Sequence, residues 1–251
     1  MQRKKLTDAD KAKREAKRAK RANADPVLAS VGPTLGARVT RDDLVRTVGK
    51  ATRALIATAT ELVESSAKTH LRVISCYTCT APGCCNLPIT MMFHEVLPVA
   101  ARLRRDGRDT PELRAHLAES AELMESLSRP HYRALVRPCV FLDTAKRCSV
   151  YEDRPRECGT AFVFSPVADC SDVSISEIET VRPDAQTVIR QVYTTAKLVE
   201  RSLGLVPIEG GYTGVLPRMV LWWLEAWDRT DFVDDLAAHA RAANERPTSA
   251  R

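Results

Sequence analysis

The sequence predicts a mainly α-helical domain with a small β-hairpin in a central cysteine-rich region. Three observations support this fold class. Apolar residues recur at helical spacing over long segments, two short β-type runs flank a polar turn, and all eight cysteines lie between Cys76 and Cys170. Of the 251 residues, 44% are hydrophobic but only 5% are aromatic, so the chain can bury a core made mostly of aliphatic side chains.

The first helix is predicted to begin near Thr40, a residue type that caps helices, with Asp42 and Asp43 in its first turn. Its apolar residues continue at helical spacing to about Ser66. We expect a second helix from Thr90 to Gly107, interrupted by Pro98.

A third helix is predicted to start at Thr110-Pro-Glu, with a capping residue followed by proline in the first turn. The C-terminal third is predicted to be helical over residues 184–203, over the Trp-rich segment that follows the Pro207–Pro217 loop, and over residues 231–243.

The predicted hairpin lies in the middle of the chain. Val140-Phe-Leu142 and Ser149-Val-Tyr151 are β-type runs on either side of a polar turn, with Cys139 before the first run and Cys148 before the second. Arg154-Pro-Arg-Glu-Cys158 then has proline in the first turn of a short helix.

The basic charge of the chain is confined to its N-terminal end. Residues 1–25 contain ten basic and four acidic residues, and their net charge of +6 equals that of the whole chain. We therefore predict a basic flexible tail over residues 1–35, one helical domain over residues 36–243 and a frayed end over residues 244–251. A neutral body argues against a dedicated nucleic-acid face, and leaves the tail as the candidate segment for RNA or ribosome contact.

The sequence also predicts a cytoplasmic protein without membrane contact. The N-terminal segment lacks the apolar stretch of a signal peptide, and no other stretch is long and apolar enough to cross a bilayer. In that compartment the thiols stay reduced, so we do not expect structural disulfides.

The cysteines indicate a metal centre. Thiolate is the ligand that zinc, iron–sulfur clusters and monovalent copper prefer, and a C-x2-C pair brings two sulfurs to one metal from a tight turn. The predicted metal ligands are Cys76, Cys79, Cys84, Cys85, Cys139, Cys148, Cys158 and Cys170. Eight sulfurs match two four-thiolate sites, or one site with additional thiols.

Charged neighbours of the cysteines are candidates for supporting roles. Arg147, Arg154 and Arg156 flank Cys148 and Cys158, where guanidinium groups can offset the negative charge of a thiolate site. For Arg154 the alternative is a local ion pair with a neighbouring carboxylate. His94 and Glu95 follow the first cysteine cluster. Glu95 is a surface acid, a partner of a ligand or a ligand itself, whereas the Trp residues near position 223 are most simply core.

Taken together, CYTCTAPGCC, Glu95, PCVFL and CSVYEDRPREC resemble the CxxCxxCC cysteine-cluster family, also called the YkgJ-type family, over about residues 76–160. The four residues between Cys79 and Cys84 depart from the spacing in the family's name. The resemblance implies a domain that binds zinc or iron, the iron either as an ion or in a 4Fe–4S cluster. Because some relatives are linked to methylation of flagellin lysines, it also implies an alternative: a metal-dependent enzyme that modifies a protein.

Three function classes therefore remain. One is a chelating or interaction module whose partners are a metal ion and a protein. Another is an enzyme with a protein or small-molecule substrate, whose catalytic residues the sequence does not identify. The third is a scaffold held together by its metal, which binds RNA or ribosomes through the basic tail. The spacing of Cys76, Cys79 and Cys84 does not fit the pattern of radical S-adenosylmethionine enzymes, and the chain has neither a P-loop nor a dinucleotide fingerprint.

Overall fold

The structure is a computed structural model that describes residues 41–78, 83–172, 180–181, 192–197, 199–200 and 212–227. The predicted tail, the C-terminal end and the predicted helix 231–243 lie outside these residues. Within them the chain is mainly helical with small antiparallel sheets, which confirms the predicted fold class. No described helix is both long enough and apolar enough to span a bilayer.

Helix α1 (Arg41–Thr69) is the long first helix that the sequence predicts. Asp42 and Asp43 occupy its first turn, where carboxylates interact favourably with the helix dipole. One face is buried along the whole helix and the opposite face is exposed. The helix ends at Thr69, and Leu71, whose backbone is left-handed (φ 52°), turns the chain toward the first cysteines.

The prediction of a helix that begins at Thr90 is wrong for residues 90–96. Thr90–Met92 form strand β1 and residues 93–96 form a 3-10 turn, so that helix α2 covers only Leu97–Arg105, with Pro98 in its first turn. Strand β1 pairs antiparallel with β4 (Thr213–Val215), with Met91 opposite Gly214. Pairing with a strand far away in the sequence overrides the local helical pattern.

Helix α3 (Pro111–Ser126) starts as predicted, because the Thr110 hydroxyl accepts a hydrogen bond from the Leu113 backbone N–H at 3.2 Å. A short helix, α4 (Arg129–Ala134), follows it. Helix α7 (Leu216–Ala226) is the predicted Trp-rich helix, and it packs against both α2 and α3. Of the predicted helix 184–203, residues 192–197 and 199–200 are helical and the rest lies outside the described residues.

The main core lies where α2, α3 and α7 meet the 3-10 turn 93–96. The Trp223 ring stacks on Phe93 with 6.0 Å between ring centroids, and the Trp223 indole N–H donates to the Phe93 carbonyl at 2.8 Å. Trp223 is 1% exposed and Phe93 is fully buried, which confirms the prediction that this tryptophan is core. The cysteine segments pack against this helical body.

The predicted hairpin is present as a tight turn rather than as two extended strands. One antiparallel bridge joins Leu142 to Cys148, and the Asp143 N–H donates to the Arg147 carbonyl at 2.9 Å. The remaining short elements are α5 (Arg156–Gly159), α6 (Val167–Ser171) and the antiparallel pair β2 (Phe162–Val163) and β3 (Thr180–Val181).

Candidate metal centre

Three separate segments carry the cysteines that the structure brings together. Cys84 and Cys85 lie in a 3-10 turn of residues 83–86, Cys139 and Cys148 lie on either side of the hairpin turn, and Cys158 lies in α5. The Cys139 N–H donates to the Cys85 carbonyl at 2.8 Å, which joins the first segment to the second. None of these five thiols is in a disulfide.

The five thiols influence one another's ionisation. The Cys85 thiol hydrogen-bonds to the Cys84 sulfur, and this bond lowers the pKa of Cys84 to about 7 and raises that of Cys85. Burial raises the pKa of Cys139 to about 11, with further contributions from the charges of Cys148 and Cys84. The pKa of Cys158 rises for the same reasons, first burial and then the charges of Cys139, Cys148 and Cys84.

Two of the other three predicted ligands, Cys76 and Cys170, lie in neighbouring turns and helices. Cys76 lies in a 3-10 turn of residues 75–78 and its thiol donates to the Ala161 carbonyl at 3.5 Å. Cys170 lies on α6, which packs against the turns that hold Cys76 and Cys84. Cys79 lies outside the described residues.

Arg154 is a cation whose charge acts on three of these five thiols. Its charge lowers the pKa values of Cys84, Cys148 and Cys158, against the larger effect of burial at Cys148 and Cys158. The guanidinium also stacks on the Tyr151 ring, with 4.0 Å to the centroid. This arrangement fits the predicted role of Arg154 as a cation that offsets thiolate charge.

The other two predicted arginines are engaged elsewhere. Arg147 is 80% exposed and pairs with Asp143 at 3.3 Å. Arg156 donates to the buried carboxylate of Glu95 at 3.3 Å. Two other arginines lower the pKa of Cys148 by their charge: Arg102, which also pairs with Asp106 at 3.3 Å, and Arg108, which also donates to the Ser149 hydroxyl at 2.8 Å. The sequence did not indicate these two residues, because they come from α2 and the loop after it, far from Cys148 along the chain.

His94 and Glu95 are both buried, at 2% exposure, so Glu95 is not a surface acid. They line a small cavity together with residues of α1 and the helical segment 192–197. Burial, together with the charge of Arg156, lowers the pKa of His94 to about 3, and its Nδ1 atom has no hydrogen-bond partner. Burial raises the pKa of Glu95 against the opposing charge of Arg156. Neither residue is grouped with the cysteines.

The residues present fit a thiolate-bound metal by their chemistry. In the described ranges no three His, Cys, Asp or Glu side chains stand close enough to hold a metal ion as they are placed, so the sulfurs have to approach further to reach ligand distance, about 2.3 Å for zinc. Cys139 and Cys158, whose pKa values are raised by burial and by the charges of neighbouring thiolates, cannot ionise together without a compensating cation. A bound metal supplies that cation, and the sulfurs supply ligands that zinc and iron prefer.

Fold and site together define a class of protein, a helical domain that carries a thiol cluster assembled from distant segments. A comparison with protein families finds a similarity over part of the chain. Residues 75–185 match the CxxCxxCC family, which is described as a "putative zinc- or iron-chelating domain". This match confirms the resemblance seen in the sequence and supports a general metal-binding role. No curated protein and no solved structure matches the chain.

Proposed function

We propose that this protein binds zinc or iron through a thiolate centre built from its cysteine segments. The observation that carries the proposal is the convergence of Cys84, Cys85, Cys139, Cys148 and Cys158 from three segments that span more than 70 residues of the chain. Cys76, Cys79 and Cys170 remain proposed ligands from neighbouring turns. When bound, the metal neutralises the thiolates and cross-links the three segments.

The proposed centre accommodates two kinds of metal group. Four thiolates around a zinc ion leave a net charge of −2, and the guanidinium groups of Arg102, Arg108 and Arg154 are placed to offset such a charge. The same donors suit a 4Fe–4S cluster, which also takes four cysteine ligands. The function proposed for the chain is therefore chelation of zinc or iron, with the iron either as an ion or in a cluster.

The decisive experiment is metal analysis of protein purified without oxygen. A colourless protein with stoichiometric zinc identifies a zinc centre, and a brown protein with iron and acid-labile sulfide identifies a cluster. Cys84→Ser and Cys158→Ser are expected to lower the metal content severalfold. Protein that contains no metal and takes up neither zinc nor iron on reconstitution would refute the proposal, and so would full metal content in both variants.

A groove beside Cys139 favours a second candidate function, a metal-dependent enzyme acting on a protein or small molecule. The groove has a volume of about 530 Å³ and lies between α3, the hairpin turn and the segment after α4. Its size is that of a ligand site, about 300–1,000 Å³. Cys139 is part of its lining, so a substrate in the groove would lie next to the proposed centre.

Filling the groove separates the two candidates. Leu123 lines the groove from α3, a helix that carries no cysteine, so Leu123→Trp is expected to leave the metal content unchanged. The assay is methylation of flagellin lysines, the reaction linked to some relatives of the resembled family. An enzyme loses this activity in the variant with its metal retained. Wild-type protein that is fully metal-loaded and inactive toward flagellin would contradict this enzymatic assignment but not metal binding.

A further inference from the structure

Glu95 is a buried carboxylate whose two oxygens are held by different partners. The Met92 backbone N–H donates to Oε2 at 3.0 Å and the Arg156 Nε–H donates to Oε1 at 3.3 Å. The side chain is only 3% exposed. The first bond fixes Glu95 against the strand β1 and therefore against the helical body, and the second reaches a residue 61 positions later in the chain.

Arg156 connects this buried carboxylate to the cysteine segment. It lies in α5 two residues before Cys158, its side chain is 17% exposed, and its Nη2 atom also pairs with Glu157 at 2.6 Å. One guanidinium thus joins a carboxylate of the helical body to a carboxylate of α5. Its planar fork of donors gives such a link a defined orientation.

Helix α5 depends on such external contacts for its orientation. It has only four residues, and a helix of this length is not stable by itself. Gly159 packs against Ile56 of α1 at one end, and Arg156 is held by Glu95 at the other. Cys158 lies between these two anchors.

A buried ion pair is a poor device for stability alone, because the cost of desolvating two charges offsets most of their attraction. Its benefit is geometric, since it fixes where the two elements meet. We propose that Glu95 and Arg156 are positioning residues that orient Cys158 for metal binding. This inference rests on the metal-binding function proposed above.

The test compares the affinity of three variants for Co²⁺, a spectroscopic probe for thiolate sites, with that of the wild type. Arg156→Lys keeps the positive charge beside Glu95 but loses the planar fork, so the fold is expected to survive while Co²⁺ affinity falls about 10–100-fold, the range found when partners of metal ligands are replaced. The sulfur-to-cobalt absorption band is expected to shift or weaken at saturating Co²⁺. Glu95→Gln, which removes the charge at the other end, is expected to give the same changes.

Glu157→Gln is the matched control. It removes the partly exposed carboxylate on the same guanidinium (41% exposed) but leaves the link to Glu95, so Co²⁺ affinity is expected to change less than twofold. Circular dichroism melting is measured for every variant. If Glu95→Gln unfolds, Arg156→Lys decides the outcome.

A folded Arg156→Lys protein with the affinity and spectrum of the wild type would overturn the positioning role. So would an Arg156→Lys protein that loses stability in proportion to affinity but keeps the wild-type band at saturation, since that pattern belongs to a purely structural residue. An unfolded Arg156→Lys variant would overturn the role as well, because it would show that the fold itself depends on the guanidinium. Wild-type protein that binds no Co²⁺ through its cysteines refutes the proposed function itself, so the two failures are distinguishable.

Discussion

Gly159 is expected to tolerate no side chain without movement of its neighbour on α1. A Cβ atom at this position would lie 2.2 Å from Cδ1 and 2.6 Å from Cγ1 of Ile56. Ordinary carbon–carbon contacts are about 3.5–4.0 Å, so the Ile56 side chain would have to withdraw by ~1.3 Å or more. Because Gly159 does not have a positive φ, the effect of Gly159→Ala is steric and not due to backbone strain.

The magnitude follows from two opposing effects. Overpacking a site of this kind costs about 1–3 kcal/mol. Alanine also restricts the unfolded chain, which returns about 0.4–1 kcal/mol. Ile56 is only partly buried, so part of its side chain can turn toward solvent. We expect a net loss of about 1–2 kcal/mol in the free energy of unfolding, or about 2–8 °C in melting temperature.

The assay is denaturant unfolding of the wild type, Gly159→Ala, Ile56→Ala and the double variant. Ile56→Ala removes the clashing atoms, so the double variant is expected to be more stable than the sum of the two single changes predicts. Gly49→Ala on the same helix α1 is the control. Its Cβ would meet Arg53 Nη1 at 3.3 Å, the mobile end of a side chain that is 58% exposed, and a glycine-to-alanine change within a helix is expected to stabilise by about 0.5–1 kcal/mol.

Additive effects of the two changes would refute the reasoning, because they would show that Gly159 and Ile56 do not share the contact. Wild-type stability of Gly159→Ala would refute it too. If the clash is confirmed, it also has a consequence at the proposed metal centre. Cys158 is adjacent to Gly159, so a shift of α5 would move the Cys158 thiol. Co²⁺ affinity should then fall in Gly159→Ala and recover in the double variant.

The remaining predictions concern other parts of the chain. Cys148→Ser is expected to release metal and lower the melting temperature of the metal-loaded protein, as measured by metal analysis and thermal melting. Because the pKa of His94 is lowered in the folded protein, the free energy of unfolding is expected to fall as the pH drops below about 6.5, by about 2 kcal/mol at pH 5. Urea unfolding of the wild type and of His94→Gln measures this effect. A stability difference between the two proteins that does not change with pH would contradict it. Trp223→Phe leaves the Phe93 carbonyl without its donor and should cost about 1–3 kcal/mol with metal content unchanged. Deletion of residues 1–35 should leave metal content and melting temperature as in the full chain, and loss of metal on truncation would place the tail within the domain.

The helices that could be predicted from the sequence are those specified locally. Helix α1 follows from its apolar spacing, and α3 follows from a threonine cap and a proline in its first turn. Residues 90–92 show the limit of this reasoning. Their sequence suits a helix, yet they form a strand because they pair with residues 213–215, and nothing local in the sequence indicates that partner.

The candidate site was also predictable only in its local features. The sequence shows the cysteines as a pattern of soft ligands, and it shows Arg154 as their close neighbour. It does not show the charged side chains that come from other parts of the fold. Arg102 and Arg108 lower the pKa of Cys148 from outside its segment, and Arg156, a predicted partner of the thiolates, is held by Glu95. Sequence proximity points to candidate ligands, but the charges that surround a cysteine are set by tertiary packing.

The helical body supplies most of the main core, and the hairpin segment that carries Cys139 and Cys148 adds Phe141 and Val150 to it. Phe93, Leu103, Leu117 and Trp223 belong to one apolar cluster at the junction of α2, α3 and α7. Small zinc-finger domains unfold when stripped of metal because they lack such a core. Here we expect chelators to empty the protein without exposing its interior to proteases. In a cell short of metal, the folded metal-free protein would then persist. When metal returned, the rate of rebinding would be set by ligand exchange rather than by refolding or new synthesis.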